Sequence, residues 1–172
     1  MEEGLKEKVA EALKAHVHFE PVDLKNLGHS DHYVDVKEAM GCPAKLNLIA
    51  DAMYLLLPSE ITCVVGNGYG GSYVPVLASR HNLNFCMIRD KPKNHGRIKG
   101  HLEHYIPVAN DKVAILDDVL SSGGSLKETG DVIHSETEAE IVCYGVVVKR
   151  GDLKVELSAP LKYLLSVEEI LK

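Results

Sequence analysis

The chain is short of several things that would have settled its class at once. In its 172 residues no apolar run approaches the roughly 18 needed to cross a bilayer. The opening segment, MEEGLKEKVAEALKAH, is acidic and periodic, where a secretory leader would be basic and then apolar. Basic residues are in deficit, 19 against 25 acidic ones, for a formal charge of -6. That argues against a general nucleic-acid-binding surface, though not against a local basic patch for a phosphorylated small molecule. The four cysteines, Cys42, Cys63, Cys86 and Cys143, form no CxxC pair. Three of them lie in apolar strand-like runs, so buried, reduced thiols are expected. No internal repeat, low-complexity segment or linker divides the chain. What is present, 45% apolar and 26% charged residues, suits a single globular domain spanning 1–172. A soluble cytoplasmic protein is expected, with no nucleic-acid or membrane partner.

Apolar spacing supplies the outline. Leu5, Val9 and Leu13 recur every four residues and predict an amphipathic helix over 3–15. A polar stretch with a short strand near 33–36 follows, and Pro43 opens a second helix to about Leu57. Then ITCVV (61–65), NFCMI (84–88), VAIL (113–116) and IVCYGVVV (141–148) read as buried strands. Helical stretches follow the first, to about His81, and the third, near 125–135. A polar loop rich in Lys and Gly follows the second. Continuous β-branched strands alternating with helices predict an α/β fold with a parallel sheet covered on both faces. Such sheets bind ligands at the carboxyl ends of their strands.

The most informative segment is VAILDDVLSSGGSLKET, residues 113–129. Asp117 and Asp118 close an apolar strand, and Ser121, Ser122, Gly123, Gly124 and Ser125 form the turn into a helix. Read without a ligand, this is an acidic strand end and a well-capped helix, with Ser125 and Glu128 as an S-x-x-E capping box. Read with one, the small residues let backbone N–H groups surround a phosphate at a helix N-terminus. Two carboxylates would repel that phosphate, but they suit the hydroxyls of a sugar and positive charge developing on it. A ribose 5-phosphate satisfies both halves.

This segment resembles the phosphoribosyl diphosphate signature of the type I phosphoribosyltransferases and matches it at every position, with serines at the threonine sites. Two further segments resemble the orotate phosphoribosyltransferases in particular. IRDKPKNHGRIKGH (88–101) is similar to their mobile catalytic loop, with Arg89, Lys93, His95 and Gly96 in place and Asp90 where the family has a second basic residue. LKNLGHSDHYVDVK (24–37) is similar to their base-binding segment, matching at Lys25, Ser30, Tyr33 and Asp35. VVGNGYGGSYVPVLA (64–78) resembles the family's diphosphate loop through Gly66, Gly70, Gly71 and Pro75.

The resemblance implies the type I phosphoribosyltransferase fold, with a base-binding hood over 1–40 and an α/β core over 41–150. It implies phosphoribosyl diphosphate and orotate as substrates. Lys93, His95, Asp117 and Asp118 would be catalytic. Arg89, Gly70, Gly71 and residues 121–125 would bind phosphoribosyl diphosphate, while Lys25 and Tyr33 would hold the base. Mg²⁺ would be carried by diphosphate, ribose and water, without direct protein ligands. A homodimer would bring the 89–101 loop into the partner's site.

Other readings stay open. GNGYGG also spells a dinucleotide fingerprint, with Asp90 about 20 residues on. A transferase for another base would keep 117–125 and dispense with Lys25. Asp90 keeps open a regulator that binds phosphoribosyl diphosphate without turnover. Tyr69 and Tyr73 are expected to pack on a neighbouring helix, and His101 and His104 to be solvated loop residues.

Overall fold

Apolar runs without a polar break must be buried on both sides, and the strands at 63–67, 112–120 and 140–149 largely are. The computed structural model describes residues 3–20, 22–24, 28–30, 32–93 and 100–172. In chain order they form α1 (Glu3–Lys14), four short strands β1 (Val17–His18), β2 (Val22–Leu24), β3 (Gly28–Ser30) and β4 (Tyr33–Val34), then α2 (Val36–Met40) and α3 (Pro43–Tyr54). The core follows: β5 (Cys63–Asn67), a 3-10 turn (Gly70–Tyr73), α4 (Val74–His81), β6 (Asn84–Lys93), β7 (Gly100–His104), β8 (Lys112–Leu120), α5 (Gly124–Glu136), β9 (Glu140–Lys149), β10 (Leu161–Ser166) and α6 (Val167–Leu171).

Six strands make the main sheet in the order β10-β9-β8-β5-β6-β7. The first five are parallel and β7 runs antiparallel to β6. Side chains alternate across it. Val64, Ala114 and Leu116 join one core with Ile49 and Met53 of α3 and Val9 and Leu13 of α1. Cys63, Val65, Val113 and Ile115 join the other, beneath Leu126 and Ile133 of α5. Each fully buried aliphatic of this kind contributes roughly 1.5–3 kcal/mol. The short strands pair separately, β1 with β4 and β2 with β3, ahead of the core.

Three elements differ from the sequence expectation. The strand near 33–36 stops at Val34, because Asp35 caps α2: its carboxylate accepts the Glu38 N–H at 2.9 Å. The second apolar strand does not end at 88. β6 continues through Arg89 and Asp90 to Lys93, since β7 returns beside it with Leu102 opposite Ile88, and Arg89 pairs with Glu103 across the ladder. The segment after 152, which had no reading, supplies β10 parallel to β9 and α6 packed on α1.

All four cysteines are free; Cys63, Cys86 and Cys143 are buried, and Cys42 is exposed at the N-cap of α3. Burial pushes the Cys86 and Cys143 thiols up, to about 12 and about 11. Among the described residues no helix is long and apolar enough to cross a membrane.

Candidate active site

Asp117 and Asp118 lie inside β8, not beyond its end: β9 keeps pairing alongside them, Asp117 opposite Val146 and Val119 opposite Val148. Consecutive strand residues face opposite ways. Asp117 accordingly meets α5, where the Ser125 hydroxyl donates to its Oδ2 at 2.7 Å, and Asp118 meets α2, where Lys37 Nζ lies 3.1 Å from its Oδ2. Backbone N–H groups complete the set, Asp118 N to Asp117 Oδ1 and Val119 N to Asp118 Oδ1, each 2.9 Å. Burial, and then the neighbouring Asp118 charge, raise the Asp117 carboxyl to about 7, against the Ser125 and backbone hydrogen bonds that lower it. The fully buried Tyr73 hydroxyl donates to the Asp117 carbonyl at 3.2 Å, and burial holds its pKa well above the ordinary value.

Gly70 allows this arrangement. A Cβ there would run into Asp117 Oδ1 and stand 2.6 Å from Asp118 Oδ1, so only glycine brings the 3-10 turn up to the acids. Gly71 serves packing instead, since a Cβ there would lie 2.7 Å from Gly66 Cα.

The capping box expected at Ser125 and Glu128 does not form. Gly123, at φ +88°, is the N-cap and α5 starts at Gly124, which places Ser125 inside the first turn and frees its hydroxyl for Asp117. The box forms at Ser166 and Glu169 of α6. Residues 121–125, with Val119 and Glu128, line a cavity of about 280 Å³ at the positive end of α5.

Beside it lies a cavity of about 380 Å³ that brings together Gly70, Asp117, Asp118, Ser121, Ser125 and Tyr33 with three residues not singled out in the sequence, Lys37, Asn67 and Arg150. The Arg150 guanidinium donates to Ser121 Oγ at 2.8 Å and lies over the Tyr33 ring, 5.4 Å from its centroid. Its buried Nε and Nη1 have no hydrogen-bond partner among the described residues, and burial lowers its pKa. A buried guanidinium with unused donors fits an anionic group of a ligand. The signal for Arg150 was available: it follows the fourth apolar strand, where parallel sheets bind ligands.

Arg89 is not brought to this cavity. It lines an adjoining one of about 330 Å³ with Asp90, His101 and Glu128, and the two cavities share Asn67. Lys93 ends β6 opposite Gly100. Lys25 and His95 lie outside the described residues. The two tyrosines part company: Tyr73 is buried, whereas Tyr69 is 86% exposed. His101 and His104 are not loop residues. Both belong to β7, where the His101 ring pairs with Glu136 at 2.7 Å and His104 packs on Phe85.

Fold and cavity together define an α/β protein with its ligand crevice at the carboxyl ends of parallel strands, floored by an acid pair and edged by a serine–glycine loop. No family model matches the chain. It is 28% identical over 181 residues to an orotate phosphoribosyltransferase of Methanosarcina mazei, covering 99% of this chain and 94% of that one. It is 33% identical over 155 residues to the transcriptional regulator GfcR of Archaeoglobus fulgidus, covering 82% and 76%. The orotate phosphoribosyltransferase of Aeropyrum pernix superposes with a TM-score of 0.80 at 22% identity, over 95% of this chain and 96% of that one. The chain belongs to the type I phosphoribosyltransferases, a family of enzymes.

Proposed function

We propose that the chain transfers a 5-phosphoribosyl group from phosphoribosyl diphosphate to N1 of orotate, giving orotidine 5′-phosphate and diphosphate. The observation that carries this reading is a single cavity in which the acid pair and the serine–glycine loop meet Tyr33, Lys37 and the part-unsatisfied Arg150. The 5-phosphate sits in 121–125, against backbone N–H groups and the N-terminus of α5. Asp117 and Asp118 accept the ribose hydroxyls and favour positive charge on the ring as the bond from C1 to the diphosphate oxygen breaks. N1 of orotate, already an anion, forms the new bond to C1. Tyr33 stacks on the pyrimidine, and Arg150 and Lys25 face its anionic groups.

Mg²⁺ fits this site as companion of the diphosphate. Two crowded carboxyls favour a cation nearby, and it would be held by diphosphate, ribose hydroxyls and water, with Asp117 and Asp118 meeting it only through those groups. When bound it supplies charge neutralisation to the leaving group. Lys93 and His95 of a second copy close over the diphosphate, with Arg89 in support, in a cytoplasmic homodimer serving pyrimidine synthesis.

A second reading is a regulator that binds phosphoribosyl diphosphate without turnover. It is favoured by the relative named as a transcriptional regulator and by the acidic Asp90 where the resembled loop is basic. One assay separates the two: orotate absorbance followed with phosphoribosyl diphosphate and Mg²⁺, beside uracil, adenine and hypoxanthine. Loss of orotate that requires both other components is the expected result. Turnover of another base alone overturns orotate as the acceptor, and turnover of none overturns the enzymatic reading.

A further inference from the structure

The two acids receive different donors. Both donors on Asp117 are neutral, the Asp118 N–H at 2.9 Å and the Ser125 hydroxyl at 2.7 Å. Asp118 receives the Val119 N–H at 2.9 Å and the ammonium of Lys37 at 3.1 Å. The Lys37 side chain is 47% exposed and that of Asp118 9%, so the lysine reaches in from solvent and covers the carboxylate. Two carboxyls on consecutive residues, one buried and the other half-buried, do not both ionise cheaply. The one beside a cation keeps its charge.

We infer that Lys37 sets the charge of the acid pair, holding Asp118 as the ionised carboxylate so that the two adjacent acids act as different groups. This rests on the ribosyl-transfer reading for its purpose: Asp118 becomes the fixed negative charge facing the developing cation at C1, and Asp117 the acceptor that exchanges its proton as ribose hydroxyls arrive. The other groups facing the pair do not replace Lys37. Tyr33 comes from β4 and the buried Tyr73 from the 3-10 turn, and neither brings a positive charge. Arg150 feels the charge of Asp118, but its hydrogen bond goes to Ser121 and its face lies over Tyr33, which leaves Lys37, among the described residues, as the cation in contact with the carboxylate. Burial pulls the Lys37 ammonium down, but the charge and hydrogen bond of Asp118, with smaller contributions from Tyr33 and Asp117, together outweigh it, and its pKa stands above the ordinary value.

The placement of Lys37 is itself built. Asp35 caps α2, and the Glu38 carboxylate next to Lys37 is held by His16 at 3.0 Å and His18 at 3.1 Å. The helix that carries the cation is thereby tied to the segment ahead of β4.

The test is titration of the side-chain carboxyl carbons by ¹³C NMR in the unmodified chain, Lys37→Met and Lys37→Arg, with Lys37→Gln as a second neutral variant in case the first does not fold. Loss of the positive charge is expected to move the Asp118 midpoint upward by about one pH unit, a tenfold change in proton affinity. Lys37→Arg is expected to follow the unmodified chain. An unmoved Asp118 midpoint in the neutral variants overturns the inference. The readout needs no substrate, so a chain that turns over no base yet shows the moved midpoint sinks the transfer reading and upholds the charge assignment.

Discussion

At the scale of single residues, Asp117 carries a cost that the fold accepts for the sake of the site. Its carboxyl titrates near 7, above the ordinary 3.8 that it recovers on unfolding. Between those values the native chain holds a proton that the unfolded chain has released, so stability is greatest below about 3.8 and is lost as pH rises through about 7. Asp117→Asn removes the titration and keeps the shape. The variant is expected to be more stable than the parent at pH 8 by roughly 1–3 kcal/mol, a figure discounted for the solvent that reaches a part-exposed carboxyl. The gap should close at pH 4. Thermal unfolding at both values checks it, and a gap independent of pH would return Asp117 to an ordinary surface carboxylate.

At the scale of elements, the turn over 70–73 serves two masters through neighbouring glycines. A methyl at Gly70 meets the acid side chains, and one at Gly71 meets the backbone of Gly66. Gly70→Ala is expected to lower kcat/KM at least about tenfold, the equivalent of roughly 1.4 kcal/mol, with little loss of stability. Gly71→Ala is expected to cost roughly 1–3 kcal/mol of stability, because backbone cannot step aside as a carboxylate can. Steady-state kinetics beside thermal melts would expose the opposite split, and equal behaviour of the two would defeat it. The same scale shows what was legible beforehand. The acid pair and the serine–glycine loop are contiguous in the chain, so local pattern sufficed for them. The capping box was a matter of register. S-x-x-E occurs at Ser125 and at Ser166, and the left-handed Gly123 starts α5 two residues too early for the first to form.

At the scale of the whole molecule, the parallel strands were legible because a strand buried on both faces announces itself by an unbroken apolar run. β7 and β10 were not. β7 has a single buried residue, Leu102, among polar neighbours, and β10 arrives through a connection with no helix, so the alternation of strand and helix that guides the eye had ended. Lys37 and Arg150 escaped for a related reason: only the assembled sheet brings the end of β9 and the first turn of α2 to β8. The proposed dimer belongs to this scale too. Lys93→Ala and Asp118→Asn are each expected to be inactive alone. Mixed and allowed to exchange subunits, they form heterodimers in which one of the two sites draws intact parts from both chains, restoring about a quarter of the activity. Activity that stays absent after exchange would place Lys93 in its own subunit's site.

The distribution of thiols gives the molecule one natural attachment point. Three sulfurs are sealed in the core with proton affinities that suppress reaction, while Cys42 stands in water with its thiol pKa lowered by backbone hydrogen bonds from Lys45 and Ala44. The thiolate is the reactive form. A dye introduced under native conditions therefore goes to a single address, immediately after Gly41 at the end of α2. Light from that position reports on the helix bearing Lys37, with no engineered cysteine and no need to remove the other three.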